Sequence, residues 1–439
     1  MSTGKFHIHT FGCQMNVHDT EQMAQILGDA GYLETDEPDM ADIIILNTCS
    51  VREKAAQKVY SLLGRLKRLK QRNSELIMGV AGCLAQEHGS GFFRRAPYLD
   101  FVLGTHNIHR LPEMIESINN TGSRVVDTSF HKSIRSLGIR TLPPDGDVSA
   151  YVTIMQGCNN FCSYCIVPYV RGREESRAGA DIVDEIRFLA GNGIREVTLL
   201  GQNVNSYGST LSGDTDFPEL LKLVSGIEGI DRIRFTTSHP KDLSKELARC
   251  FADLDNLCEH IHLPVQAGSD YVLKRMKRGY TAVEYLEKID ILRNVCPDIT
   301  ITSDIIVGFP GETDSDFQKT IDLMKKVRFD NIFSFKYSDR HGTASEGYAG
   351  KVEEVVKGKR LSELQALQEC HSLEKNRSLE GTVKDVLIEG VSKITDTEVT
   401  GRTRGNKIVN FAGDTGMTGK TVSVRIAQAQ MHSLRGEMV

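Results

Sequence analysis

Residues 151–177 read YVTIMQGCNNFCSYCIVPYVRGREESR. The first six, rich in aromatic and β-branched residues, predict a strand. Cys158, Cys162 and Cys165 follow in the loop at its end. Three thiols this close in sequence can converge on one metal centre. Thiolate is a soft ligand and selects zinc, copper(I) or iron–sulfur. Structural zinc prefers two CxxC pairs or a Cys/His set. Here one CxxC follows an extra cysteine, with no fourth Cys or His nearby. Three ligands fit a 4Fe-4S cluster with one iron left open. A structural metal knuckle, or thiols that hold nothing, is the bland alternative. The position at a strand end of a βα series favours a functional site.

That series extends downstream. EVTLLG (196–201), RIRFTTS (232–238), HIHLPV (260–265), TITSDIIVG (300–308) and NIFSFKYS (331–338) are further strand patterns. Amphipathic stretches such as ADIVDEIRFLAGNG and TDSDFQKTIDLMKKV lie between them. Six βα repeats are too few for a complete eight-stranded barrel. A partial (β/α)6 barrel is expected over 148–376, ending in a long polar helix.

Upstream, residues 1–120 also alternate strand and helix. KFHIHT (5–10), ADIIILNT (41–48), ELIMGVAG (75–82) and DFVLG (100–104) read as strands, with helices over 19–30 and 51–72. The fold class expected here is α/β, a mostly parallel sheet covered by helices. Residues 121–147 lose periodicity and read as a linker. From 377 to 439 the pattern changes to short β-type runs split by Gly, Asn and Asp, which predict a small β-barrel.

The chain of 439 residues is 40% hydrophobic and 25% charged, an ordinary globular profile. At ~100–200 residues per domain it holds roughly three domains. No apolar run approaches the ~18 residues of a membrane helix. MSTGKFHIHT lacks the apolar stretch of a secretory signal. Collagen, coiled coil, membrane span and wholesale disorder are excluded, and a cytoplasmic location is expected. The net charge of −5 is mild, yet residues 375–439 carry ten Lys/Arg against seven Asp/Glu. A protein that coats nucleic acid would be more basic throughout; a local basic module remains open. Ten cysteines without an export signal argue against a disulfide framework.

Cys13, Cys49 and Cys83 form a second, dispersed set. Each follows one of the first three main strands of the N-terminal region. In an open parallel sheet those strand ends share one edge, where ligand crevices form. The fold would bring three distant thiols together. The alternative is three buried small hydrophobes, since free Cys is often buried. The repeated strand–turn–Cys placement favours a metal site. Cys250, Cys258, Cys296 and Cys370 share no spacing and read as packing or incidental thiols.

FGCQMNVHDTE (11–21), ILNTCSVREKA (45–55), VAGCLAQ (80–86), MQGCNNFCSYCIVPYVRGREESR (155–177), LLGQNVNSYG (199–208) and SDIIVGFPGETDSDF (303–317) together carry a resemblance. In order, and over nearly the whole chain, they are similar to the radical S-adenosylmethionine methylthiotransferases. HLPVQAGSDYVLKRMKRGYT and SFKYSDRHGTAS look most like the branch that acts on N6-dimethylallyladenosine in tRNA. Ala178, Ala267, Asp339 and His341 depart from the residues expected there, and none is a cluster cysteine.

The resemblance implies an N-terminal methylthiotransferase domain, a radical S-adenosylmethionine core and a C-terminal TRAM domain that binds RNA. It implies that Cys158, Cys162 and Cys165 hold a radical-generating 4Fe-4S cluster whose open iron binds S-adenosylmethionine. It implies that Cys13, Cys49 and Cys83 hold an auxiliary 4Fe-4S cluster. The product would be the 2-methylthio form of the dimethylallylated adenosine next to the anticodon. Tyr164, Gln202, Asn203 and Gly308 would contact S-adenosylmethionine. No side chain is singled out as acid or base, because an aromatic C–H is too weakly acidic for one and cofactors must carry that step. Implied partners are the anticodon stem-loop of tRNA and an electron donor such as flavodoxin or ferredoxin, with a monomeric enzyme and no membrane. Sister branches share both cysteine sets, so threonylcarbamoyl-adenosine in tRNA or a ribosomal-protein aspartate is the alternative target. A non-catalytic, metal-stabilised RNA-binding protein is a third reading.

Each further candidate has a plainer alternative. Gln202 and Asn203 could instead hold a turn. The glycines of IVGFPGET (306–313) permit a close ligand or simply a tight strand-to-helix turn. RGREESR (171–177) could bind a substrate phosphate or cofactor carboxylate, or be a solvated loop. Arg52, Lys54, Lys58, Arg65, Lys67, Arg68, Lys70 and Arg72 on the second helix could track tRNA phosphates, or form a solvated face. Arg402, Arg404 and Lys407 of the C-terminal module are expected to contact RNA. His7 and His9 are read as structural.

Overall fold

The computed structural model describes residues 4–50, 53–131, 141–143, 146–213, 215–392, 395 and 397–439. The linker positions 132–140, 144 and 145 lie outside the described residues, as does Arg52. So does the side chain of Lys54.

The N-terminal region is a six-stranded parallel sheet. Its strands are β1 (Lys5–Thr10), β2 (Leu33–Glu34), β3 (Ile43–Thr48), β4 (Ile77–Gly82), β5 (Phe101–Leu103) and β6 (Val125–Asp127). The spatial order is β2-β1-β3-β4-β5-β6. β3 and β4 are buried along their whole length, as expected for a parallel sheet covered on both faces. Ile44, Leu46, Met78 and Val80 pack into one core, and Ile43, Ile45, Ile77 and Ala81 into the other. β6 corrects the sequence-based linker. Phe101 pairs with Val125 and Leu103 with Asp127, so the first part of 121–147 belongs to the sheet. A three-residue strand is too short to show a period.

The second region holds β7 (Ser149–Thr153), β10 (Glu196–Leu200), β11 (Arg232–Phe235), β12 (His260–His262), β13 (Thr300–Val307) and β14 (Asn331–Lys336). These are the six strands expected from the sequence. They form two parallel trios, β11-β10-β7 and β12-β13-β14. A single bridge, Ile233 to Leu257, links the first trio to the chain entering the second, and one continuous core fills the arc. Between β7 and β10, β8 (Met155–Gln156) and β9 (Glu175–Ser176) pair antiparallel. That two-residue ribbon clamps the base of the loop holding Cys158, Cys162 and Cys165.

The C-terminal region is a closed barrel in the order β15-β16-β17-β19-β18. Its strands are β15 (Val383–Val391), β16 (Glu398–Thr403), β17 (Ile408–Ala412), β18 (Thr421–Ala429) and β19 (Leu434–Met438). β19 has no alternating pattern and escapes a sequence reading. It closes the barrel by pairing with both β17 and β18.

Candidate functional site

Cys13, Cys49 and Cys83 stand at the C-terminal ends of β1, β3 and β4. Cys13 N-caps the helix Gln14–Asp29 and Cys83 begins the helix Cys83–His88. The first helix thus starts five residues before its sequence-based bound, directly after the cysteine. Gly12 and Gly82 precede these thiols with φ +150 and +86. A Cβ on Gly12 would lie 2.3 Å from Asn16 Oδ1 and 3.0 Å from the Cys49 Cβ. A Cβ on Gly82 would lie 2.5 Å from the Thr48 carbonyl oxygen. Asn16 donates to Asn47 Oδ1 at 3.1 Å and Asn47 donates to the Asn16 carbonyl at 2.7 Å, locking the strand ends together. A hydrogen bond with Cys49 holds the Cys13 thiol low, at about 6. Burial pushes the Cys83 thiol up.

The second trio occupies the loop after β8. Arg278, fully surrounded by protein, donates to Cys162 Sγ at 3.4 Å. Burial raises Cys158 and carries Cys165 up to about 12. Among the described residues no three Cys, His, Asp or Glu side chains converge closely enough to hold a single metal ion.

The barrel rim beside this loop carries an unusual polar set. Thr153 Oγ1, Gln156 Nε2, Gln202 Nε2, Asn203 Oδ1, both amide atoms of Asn205, Ser238 Oγ, His239 Nε2 and Gln266 Oε1 are buried without a hydrogen-bond partner. They follow β7, β10, β11 and β12, four successive strands, at their C-terminal ends. An unsatisfied buried polar group costs about 1–3 kcal/mol. A rim with this many marks a place where a polar ligand supplies the partners. Gln202 Oε1 accepts from the Gly157 amide. Asn203 Nδ2 donates to Asp242 at 2.8 Å and Ser206 at 2.9 Å. Each amide is therefore held at one end and open at the other. Of this polar set the sequence names Gln202 and Asn203 as candidates and does not single out Thr153, Gln156, Asn205, Ser238, His239 or Gln266. Their signal, a polar residue just past each barrel strand, was present but common to any turn.

Tyr164 lies against the barrel core, its ring edge-on to Phe309 at 6.4 Å. Gly308 precedes Phe309 in the chain, with φ +73. A Cβ there would meet Lys357 Cγ at 2.3 Å, so the close approach the glycine permits is to the chain's own long helix, Glu354–Arg377. The Gly308 amide donates to Glu312. Burial pushes that carboxyl up to about 7 beside Arg360, 3.1 Å away.

Two expectations need correction. The end arginines of RGREESR are neither solvated nor open to a ligand phosphate, and the exposed cation of the stretch is Arg173. Arg171 is buried against Asp19 at 2.5 Å, and Arg177 against Glu185 at 2.6 Å. Glu174 accepts from Ser206 at 2.7 Å and from Ser209. Arg171 joins the two halves of the site, since its charge acts on Cys13 and Cys83 across the domain boundary. Likewise Arg402, Arg404 and Lys407 are engaged within the protein. Arg404 grips Glu259 with two bonds of 2.8 and 2.9 Å, Lys407 pairs with Asp330 at 3.3 Å, and Arg402 pairs with Glu389 at 2.9 Å. Arg232 and Arg234 donate back to barrel carbonyls. Arg404, Lys407, Arg232 and Arg234 pin the barrel to the core, while Arg402 pairs inside the barrel.

On the second helix, Lys58, Arg65, Lys67, Arg68 and Arg72 are exposed, while Lys70 turns in to Asp100 at 2.8 Å. His7 bonds the Thr35 carbonyl at 2.8 Å and His9 packs on Phe11, both structural roles. No helix among the described residues is long and apolar enough to cross a membrane.

Comparison with known proteins places three family profiles on the chain. Residues 5–104 match a family described as uncharacterized protein family UPF0004, 152–324 the radical SAM superfamily, and 377–439 the TRAM domain. The chain is 58% identical over 433 residues to the tRNA-2-methylthio-N(6)-dimethylallyladenosine synthase of Syntrophus aciditrophicus, covering 99% of this chain and 94% of the relative. It is 51% identical to the synthase of the same name from Geobacter sulfurreducens, covering 100% and 98%. Among solved structures, the radical S-adenosylmethionine methyltransferase TsrM of Kitasatospora setae aligns with a TM-score of 0.57 at 14% identity, over 78% of this chain and 75% of that one. That likeness speaks to the fold.

Proposed function

The chain belongs to the tRNA-2-methylthio-N(6)-dimethylallyladenosine synthase family, and from that premise we infer the work of its individual residues. It is a radical S-adenosylmethionine methylthiotransferase that modifies tRNA, converting N6-dimethylallyladenosine to the 2-methylthio form. Its cofactors are S-adenosylmethionine and 4Fe-4S clusters.

The residues present suit those groups. Each trio offers thiols alone, the soft donor set of iron–sulfur sites. The orphaned polar atoms past β7, β10, β11 and β12 suit a small ligand with amino, carboxylate and ribose groups. In this reading Cys158, Cys162 and Cys165 hold the cluster that binds S-adenosylmethionine, and Cys13, Cys49 and Cys83 hold the auxiliary one. When bound, these groups supply the one-electron chemistry that removes hydrogen from C2 of the adenine and the sulfur that replaces it.

The chain's own residues position and enclose. Gln202 and Asn203, each fixed at one end, present a free donor and a free acceptor to the ligand. Tyr164 packs on Phe309 against the barrel core, and the Gly308 turn is closed by Lys357 and Glu312 of the chain itself. Arg278 donates to Cys162 Sγ and places a permanent positive charge beside it. Arg171 places another beside Cys13 and Cys83 while tying the N-terminal sheet to the core. The exposed cations of the second helix face the tRNA backbone. The protein acts as a monomer in the cytoplasm, with reducing equivalents from a flavodoxin or ferredoxin.

The observation that carries this assignment is the pair of all-thiol trios at the strand ends of adjoining sheets. Protein purified without oxygen should hold about eight irons in two clusters, and changing Cys158, Cys162 and Cys165 together to Ala should leave about four. Unchanged iron in that variant removes the ligand assignment. Stoichiometric zinc in a colourless protein would favour the RNA-binding reading without catalysis.

A further inference from the structure

A short span joins the two cysteine trios. Cys165 ends one, and Ile166 and Val170 pack against Cys83 of the other. Tyr169 projects from this span with 47% of its surface exposed. Its ring meets Phe161 edge to face at 6.1 Å, and the Arg173 guanidinium covers Phe161 at 5.1 Å. Phe161 lies between Cys158 and Cys162 with φ +44. A bulky residue rarely adopts this left-handed conformation, and such strain persists where the surroundings hold a side chain for a purpose. Phe130, 49% exposed, flanks the same place across Gly172.

Nothing in the roles described so far uses these rings. Burial of exposed aromatic surface is favourable, and an open set of it beside a cation marks a recognition site. The carbon that gains the methylthio group must come within reach of both trios, and the span carrying Tyr169 is what connects them. A dimethylallyl adenine offers a flat π-face and a branched apolar chain on a polyanionic strand. Stacked or edge-on rings suit the first two, and a guanidinium suits the last.

We propose that Phe161, Tyr169 and Arg173 form the receptor for the prenylated base, with the two rings reading the dimethylallyl group. This rests on the functional reading above and adds where its substrate is held.

The test uses full-length, anaerobically purified protein with its iron. The probes are two anticodon stem-loop RNA hairpins, one with N6-dimethylallyladenosine and one with adenosine at the same place. Binding of each is measured by fluorescence anisotropy for wild type, Tyr169→Ala, Phe161→Ala and Tyr169→Phe, with iron content measured for every sample. Wild type should prefer the prenylated hairpin by about tenfold, the scale of one aromatic stack. Either alanine variant should bring the ratio close to one at unchanged iron, and Tyr169→Phe should keep it. Tyr169 is exposed, so its variant carries the test even if Phe161→Ala fails to fold. A ratio that survives Tyr169→Ala, or a wild type with no preference, overturns the receptor. Methylthiolated product from the wild-type reaction is read in parallel. Its presence confines the failure to the receptor; its absence takes the functional reading down as well.

Discussion

Replacing Gly82 with Ala should empty the auxiliary site while leaving the other filled. Gly82 has φ +86 and ψ −161, a region that is essentially glycine's alone, and a side chain there costs about 1–3 kcal/mol. The added Cβ would also stand 2.4 Å from Asn47 Oδ1, 2.5 Å from the Thr48 carbonyl oxygen and 3.0 Å from the Thr48 amide nitrogen. Two of these are backbone atoms at the end of β3, one residue before Cys49, and they cannot swing away. Overpacking of this kind costs about 1–3 kcal/mol more. The sum, about 2–6 kcal/mol, is a large part of the about 5–15 kcal/mol that stabilises a typical fold. Relief comes by moving the end of β4 away from β3, which separates Cys83 from Cys49. Gly122→Ala is the control. Gly122 also has a positive φ, +63, but nothing lies within 4 Å of its added Cβ, so it carries the left-handed penalty of about 1–2 kcal/mol alone. Iron per chain and thermal unfolding are measured on both anaerobic proteins. Gly82→Ala should fall towards about four irons and unfold well below Gly122→Ala. Full iron together with equal melting temperatures would show that the strand ends do not need this glycine.

Two other outcomes follow from the same geometry. Burial holds His239 down at about 2, so below its ordinary value of about 6.5 the unfolded chain takes up a proton that the folded one refuses. Stability should therefore fall as pH drops from about 6.5, by about 1.4 kcal/mol per unit for this group. His239→Asn, which keeps an acceptor for the Lys241 amide, should flatten that slope in urea titrations at pH 7, 6 and 5; an unchanged slope would contradict a buried neutral His239. On the second helix, Lys58, Arg65, Arg68 and Arg72 fall on one exposed side at helical spacing. Changing all four to Ala should weaken tRNA binding. It should also make log K against log salt shallower by about 0.7–0.9 for each phosphate no longer neutralised, whereas an unaltered slope would mark a merely solvated face.

Much of the architecture is legible in the chain. The six core strands have patterns strong enough to place each one, and β3 and β4 announce burial on both faces by continuous apolar runs. The trio in CNNFCSYC is legible because its spacing is local. Cys13, Cys49 and Cys83 are legible only through the fold, by noticing that each ends a strand. What escapes has physical causes. β6 and β19 are too short or too irregular for a period. The charges of Arg171 and Arg404 look solvated in sequence, since arginines mostly are, yet each finds a partner across a domain boundary that sequence does not display, while Arg177 and Arg402 pair within their own domains. The orphaned rim of Thr153, Gln156, Ser238, His239 and Gln266 depends on three-dimensional convergence of four loops, and no single loop advertises it.

Methylthiolation by this chain is tested at its source by nucleoside mass spectrometry of tRNA. The tRNA comes from a strain that lacks its own methylthiotransferase and expresses this chain or its Cys158→Ala variant. N6-dimethylallyladenosine should become its 2-methylthio form with the intact chain and stay unmodified with the variant. Unmodified dimethylallyladenosine in cells making an intact, iron-loaded protein would contradict the assignment.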